Sequence, residues 1–219
     1  CLKRAGRYMY LEAPAVLLAM GNALNEHALT VGVALCLVAA TIFFRRRSQR
    51  LAAANDASSP DRHTFWFVRA ECLRDSSMSN LPPLQEMLSQ HRQWMVQREI
   101  SLSSGLHGEY TDEYVFVSHR WETESAPDPT GKQLQVVQEH LCKNTAIKYV
   151  WFDYWCLPQW WCMPYRRNGR SVAEQREFDQ MLPNIPLLCL GCSVLIILDL
   201  AYIGRFWTQF EAWLAMQRA

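Results

Sequence analysis

Three apolar runs in the C-terminal half of the chain are each bounded by polar residues and each followed by an amphipathic stretch. "YVFVS" at 114–118 is short, β-branched and aromatic, the composition of a buried strand. "GKQLQVVQEHLCK" follows and puts Leu134, Val137 and Leu141 on one helical face. "KYVWFDY" at 148–154 predicts a second strand, and "SVAEQREFDQML" a second helix with a serine N-cap signal. "SVLIILD" at 193–199 predicts a third strand, with a helix beginning near Gly204 after it. This alternation predicts an α/β fold: parallel strands, right-handed crossovers and helices on both faces of the sheet.

That last helix contains "RFWTQFEAWLAMQ". Ile203, Phe206, Trp207, Phe210 and Leu214 recur at the spacing of an apolar stripe, and Glu211 falls within it, one turn after Trp207. A carboxylate on a packing face must find a partner, shift its pKa or line a pocket. At the edge of the stripe it reaches water instead, and helical spacing alone leaves both readings open.

Upstream the pattern changes. Residues 28–44 carry no charge, and four arginines follow within six residues. Seventeen helical residues span about 25 Å, close to the roughly 30 Å hydrocarbon core of a bilayer. A basic cluster after an apolar run predicts a single-pass membrane anchor over 1–50 with the C-terminal part in the cytoplasm. A buried helix of a soluble core is the alternative. "LAAANDASSPDRH" at 51–63 reads as a linker. Residues 64–112 read as a helical lead-in, with Leu84, Met87, Leu88, Met95 and Ile100 on one face of a helix that starts after the two prolines. The α/β domain then occupies 113–219.

Composition narrows the classes. At 219 residues, 50% hydrophobic, the chain can build one sizeable core, and a net charge of +1 argues against a general nucleic-acid binder. The eight cysteines are irregularly spaced. Cys189 and Cys192 form the only C-x-x-C, with no second pair to complete a zinc site, so buried thiols in a reducing compartment are expected and no metal. The first residue is Cys, which suggests a fragment or a processed product.

In an open parallel sheet, ligands bind beyond the carboxyl ends of the strands. Here those ends bring Ser118, His119, Arg120 and Trp121 from the first strand, Asp153, Cys156 and Gln159 from the second, and Asp199 and Tyr202 from the third. Ser118 lacks the flanking glycines of a nucleophile elbow, and no G-x-G-x-x-G or Walker loop occurs. Ser118 and His119 are adjacent, so on a strand they point to opposite faces and form no dyad. His119 reads as a structural hydrogen-bonding group. The loop "QWWCMPYRRNGRS" adds Trp160, Trp161, Arg166 and Arg167, suited either to base stacking and phosphate contact or to a protein surface.

"EYVFVSHRWE" resembles the first strand and following loop of Toll/interleukin receptor-like (TIR) domains, with Ser118, Arg120 and Glu122 matching the S-x-R-x-E of plant versions. "LDLAYIGRFWTQFEAWL" is similar to the family's Ser-x-x-Tyr-x-x-Ser-x-Trp-Cys-x-x-Glu-Leu, with Glu211 four residues after Trp207. "DYWCLPQ" resembles the Asp-x-x-Cys-x-x-Gln of heterokaryon-incompatibility (HET) domains, at Asp153, Cys156 and Gln159. The resemblance covers about 113–217. Asp199 and Thr208 replace the family's serine and cysteine, and the chain stops after the third helix, so a C-terminally truncated domain is expected.

The resemblance implies a flavodoxin-like sheet and a signalling role. It implies NAD as substrate, with Glu211 catalytic in splitting the nicotinamide–ribose bond and no resident cofactor. Ser118, Arg120, Trp121, Asp153, Trp161, Arg167, Tyr202 and Trp207 are then the substrate-binding candidates, with Arg120 expected to neutralise the pyrophosphate. A non-enzymatic, self-associating module of the same fold is the alternative, and membrane lipid around 28–44 is an expected partner in both cases.

Overall fold

The computed structural model describes residues 3–5, 8–12, 61–75, 77–80, 82–123, 126–160, 169–199 and 201–216. The strands are β1 (Lys3–Ala5), β2 (Tyr8–Glu12), β3 (Arg62–Arg69), β4 (Met95–Ser101), β5 (Tyr110–Ser118), β6 (Tyr149–Trp151) and β7 (Cys192–Leu198). They form one mixed sheet: β7-β5-β6-β3-β4 is its body, and the short pair β1-β2 extends the β7 side. β5 pairs in parallel with β6 and β7, as the alternation predicts. Both flanks are antiparallel, however, with β3 against β6 and β4, and β2 against β7.

The helical lead-in expected over 64–112 is corrected. β3 carries Phe65, Trp66, Phe67 and Val68, all buried, which suits a strand covered on both faces. β3 runs straight into a short helix, α1 (Ala70–Arg74), and the helix after the prolines, α2 (Leu84–Gln90), ends at the polar "SQHRQ". Met95 and Ile100 then lie on β4, which pairs with β3 from Arg62↔Ser101 to Val68↔Met95. A long ladder with an aromatic strand outweighs the helical fit of five apolar positions. Residues 62–63, read as linker, belong to β3, and 3–5 and 8–12, read as part of the anchor, to β1 and β2. The run 28–44 lies outside the described residues; among those described, no helix is long and apolar enough to cross a membrane.

The parallel strands stand in the order β6-β5-β7. The chain leaves β5 towards one side through α4 (Lys132–Lys143) and returns past β5 to β7 through α6 (Val172–Met181) and α7 (Ile185–Gly191). Right-handed crossovers in opposite directions put α4 on one face and α7 on the other. They also open a crevice between the carboxyl ends of β5 and β7. α6 starts at Ser171 with a full capping box to Glu174. α7 was not foreseen from the sequence. It begins with Pro186 in its first turn and crosses α3 (Leu102–Leu106) where Gly191 meets Gly105. A Cβ on either glycine would come within 3.2–3.3 Å of the other's Cα, so this crossing admits no larger residue without movement. α7 in turn supports α8 (Phe206–Met216), the helix that carries Glu211.

Candidate functional site

The site is built from the crevice outward. α8 begins at Phe206, after a 3-10 turn at Tyr202–Gly204 and an extended Arg205. The Thr208 hydroxyl sets this start, lying within donating distance of the carbonyls of Tyr202 (2.5 Å) and Arg205 (2.9 Å). The resulting rotation turns Thr208, Phe210, Glu211 and Leu214 inward and leaves Trp207 38% exposed. Glu211 and Trp207 therefore do not share one buried stripe. Glu211 is 7% exposed and faces the end of β5, where Ser118 Oγ lies 2.5 Å from Glu211 Oε2. Ser118 also contacts the Tyr202 hydroxyl at 2.6 Å. Burial pushes the Glu211 carboxyl up to about 8; the nearby charge of Asp153 adds to this, while hydrogen bonds from Ser118 and Trp207 oppose it. Burial, then the Glu211 charge, pushes the Tyr202 phenol up as well.

Beside this dry group stands a wetter one. α5 (Asp153–Cys156) opens directly after β6 and aims Asp153 into the crevice. His119 Nε2 donates to Asp153 Oδ1 at 2.9 Å and Trp121 Nε1 to Oδ2 at 2.8 Å. The His119 ring stacks on Phe152 with centroids 3.8 Å apart, and its Nδ1 is buried without a hydrogen-bond partner among the described residues. Gln159 Nε2 donates to the carbonyls of Asp153 and Leu157, each at 2.9 Å. The Asp-x-x-Cys-x-x-Gln pattern thus builds the turn that holds Asp153. Cys156 within it is buried, and burial raises its thiol far above the ordinary value, so it offers no nucleophile.

Arg120 is not free for a phosphate. Its guanidinium pairs with Asp199, with Nε donating to Oδ2 at 2.9 Å and Oδ1 at 3.2 Å and Nη2 also donating to Oδ2. Asp199 in turn accepts from the backbone N–H of Ala201 (3.0 Å) and Tyr202 (2.7 Å), capping the turn before α8. Burial alone would raise the Asp199 carboxyl. The hydrogen bonds and charge of Arg120, with the two N–H groups, outweigh burial and hold it below the usual range.

A cavity of about 160 Å³ opens between these groups, lined by His119, Arg120, Trp121, Asp153, Arg205, Trp207 and Glu211 over a floor that includes Trp151, Leu182 and Ile185. This is about half the lower end of drug-sized pockets, enough for one ring with the rest of a ligand outside. Of the residues expected to bind substrate, Arg120, Trp121, Asp153 and Trp207 line the cavity together with Glu211, Arg120 with its guanidinium already paired to Asp199. Ser118 (0% exposed) and Tyr202 (3%) are buried behind Glu211 instead, and Trp161 and Arg167 lie outside the described residues. Sequence reasoning missed Arg205, an exposed cation on the rim. It also missed the pairing of His119 with Asp153. The His-Arg-Trp run at the end of a strand was the available signal for His119; Arg205 has none beyond its place before the helix. The expected burial of the thiols holds for Cys156, Cys189 and Cys192, whereas Cys72 is half-buried and Cys142 is exposed. Among the described residues no cluster of His, Cys, Asp and Glu is arranged to hold a metal.

No family model, curated protein or solved structure matches the chain.

Proposed function

We propose that this chain is a TIR/HET-like signalling domain that hydrolyses NAD at the nicotinamide–ribose bond, with Glu211 as the catalytic carboxyl. The single observation that carries the reading is a buried glutamate opening onto a ring-sized cavity at the crevice between β5 and β7, the flavodoxin-type binding position. Cleavage builds positive charge on the ribose in an oxocarbenium-like transition state. A carboxylate fixed beside it in a water-poor site stabilises that charge more than it would in bulk water. The nicotinamide ring of NAD is itself cationic, so its arrival favours ionisation of a carboxyl that is neutral in the empty site. Asp153 is held by His119 and Trp121 through one lone pair on each oxygen, which leaves acceptor capacity for a ribose hydroxyl or the attacking water. Arg205 takes the role first expected of Arg120, facing the phosphates at the mouth. Incubation of the full chain with NAD tests the reading: nicotinamide and ADP-ribose should accumulate, and their absence under conditions where the protein is folded contradicts it.

The non-enzymatic reading rests on a different observation. Trp160, Phe206 and Trp207 are exposed, and exposed aromatic residues mark association surfaces. Self-association in sedimentation velocity that Trp207→Ala abolishes, without any NAD cleavage by the wild type, would favour it.

Tethering by 28–44 belongs to both readings. The uncharged run, followed by its arginines, is proposed to associate with a membrane. Membrane association resistant to high salt and alkaline wash is the expected result, and full recovery in the soluble fraction contradicts it.

A further inference from the structure

Behind Glu211 four oxygens stand in a row. Glu211 Oε2 is 2.5 Å from Ser118 Oγ, which is 2.6 Å from Tyr202 Oη, which is 3.1 Å from the Thr208 carbonyl. Three contacts need three hydrogens. With Glu211 ionised only two are present, one on Ser118 and one on Tyr202. Ser118 then donates to the carboxylate, and Tyr202 can serve either Ser118 or Thr208, leaving one contact empty. With Glu211 neutral the count closes. The carboxyl donates to Ser118, Ser118 to Tyr202, and Tyr202 to the Thr208 carbonyl, all in one direction. In a buried site, a filled chain of this kind is favoured over a broken one.

We propose that Ser118 and Tyr202 are positioning residues that store a proton on Glu211 in the empty site and release it when a cationic ring enters the cavity. The first half stands on the geometry alone; the second rests on the NAD reading, because it needs a pyridinium-type ligand. On release the proton passes from Oε2 to water in the cavity. Ser118 then rotates to donate to the carboxylate, and Tyr202 rotates from Thr208 to Ser118. No bond other than O–H is broken, and the charge gained by Glu211 is balanced by the ligand cation. The other groups around Glu211 do not supply the missing hydrogen: Trp207 hydrogen-bonds to the carboxyl itself, outside the row from Ser118 to Thr208. Asp153 repels a second negative charge, Cys189 on α7 is a buried thiol raised further by Glu211, and Arg120 is paired with Asp199. His119 donates to Asp153, and Arg205 lines the same cavity from its exposed rim. Burial points the same way, with the Glu211 carboxyl raised to about 8.

The test is a carbon-13 NMR titration of labelled Glu side chains in the ligand-free full chain, with Glu211→Gln assigning the resonance. Glu211 should be neutral at pH 6 and still mostly neutral at pH 7. Tyr202→Phe makes the site more apolar, so burial alone predicts a higher midpoint. The hydrogen count predicts the opposite, because the neutral form loses the acceptor for Ser118: a fall of half a unit or more, about threefold in the neutral-to-ionised ratio at pH 7. 1-Methylnicotinamide, a pyridinium cation, should release a proton on binding at pH 7, read by calorimetry in buffers of different ionisation enthalpy, whereas uncharged nicotinamide should release none. A wild-type Glu211 ionised at pH 6, or a raised midpoint in Tyr202→Phe, overturns the stored proton. Failure of the cation to bind, or binding without proton release, overturns the gating. Should Tyr202→Phe not fold, the wild-type titration and proton release carry the test. Because none of these readouts uses turnover, a chain that stores the proton yet never cleaves NAD would sink the NAD reading and leave the stored proton standing.

Discussion

Asp199 and Glu211 come from the same stretch of chain and sit at the same edge of the sheet, yet their carboxyls are pushed in opposite directions. Asp199 has a guanidinium against it and two backbone N–H groups at its oxygens, and it is held low. Glu211 has a hydroxyl and an indole as neutral partners and a negative neighbour across the cavity, and it is raised to about 8. Both are withdrawn from water, so burial is common to them and the partner decides the outcome. One is spent on holding the turn before α8. The other, lacking a cation of its own, is left with a charge to offer a ligand.

Their effects on stability should differ in sign, and this is the largest expected effect. Glu211 binds its proton more tightly folded (about 8) than unfolded (4.5), so its contribution is complete below the lower value. It is lost as pH rises to the upper one, at up to ~1.4 kcal/mol per unit. In Glu211→Gln this decline between about pH 5 and 8 should disappear from denaturant midpoints, and the variant should be the more stable protein at pH 8. An unchanged slope breaks the contrast. Asp199, held low, contributes stability that is present above its ordinary value and lost as pH falls through its folded one. Asp199→Ala should cost about 3 kcal/mol at pH 7, because it strands Arg120 and uncaps the turn, lowering Tm by several degrees. Arg120→Ala should cost less, about 2 kcal/mol, and move the acid limb of the stability profile to higher pH. The smallest effect is expected at Arg205, where Ala should change stability by under ~0.5 kcal/mol while raising KM for NAD more than for nicotinamide riboside, which lacks the pyrophosphate. Equal effects on the two substrates would remove Arg205 from phosphate contact.

Much of the parallel core was legible, because 114–118, 148–154 and 193–199 are short apolar runs separated by patterned helices. The antiparallel flank was not. β3 is buried on both faces and so shows no alternation, and α2 continues by chance into the spacing of Met95 and Ile100 on β4. In the site, the strand ends named the right neighbourhood but not the pairings. Arg120 looked like an anion binder until Asp199, 79 residues away, was found against it. Ser118 and Tyr202 looked like ligand contacts, and only the register of α8 shows them behind Glu211. Long-range partners of this kind leave no trace in local spacing.

The measurement that bears most directly on the account is nicotinamide release from NAD at pH 8 by the wild type and by Glu211→Gln, with the fold of each checked in parallel. The substitution keeps the volume and can still donate to Ser118, so the account predicts a folded protein whose turnover drops by about 100-fold or more. NAD cleavage at the wild-type rate by well-folded Glu211→Gln would contradict it.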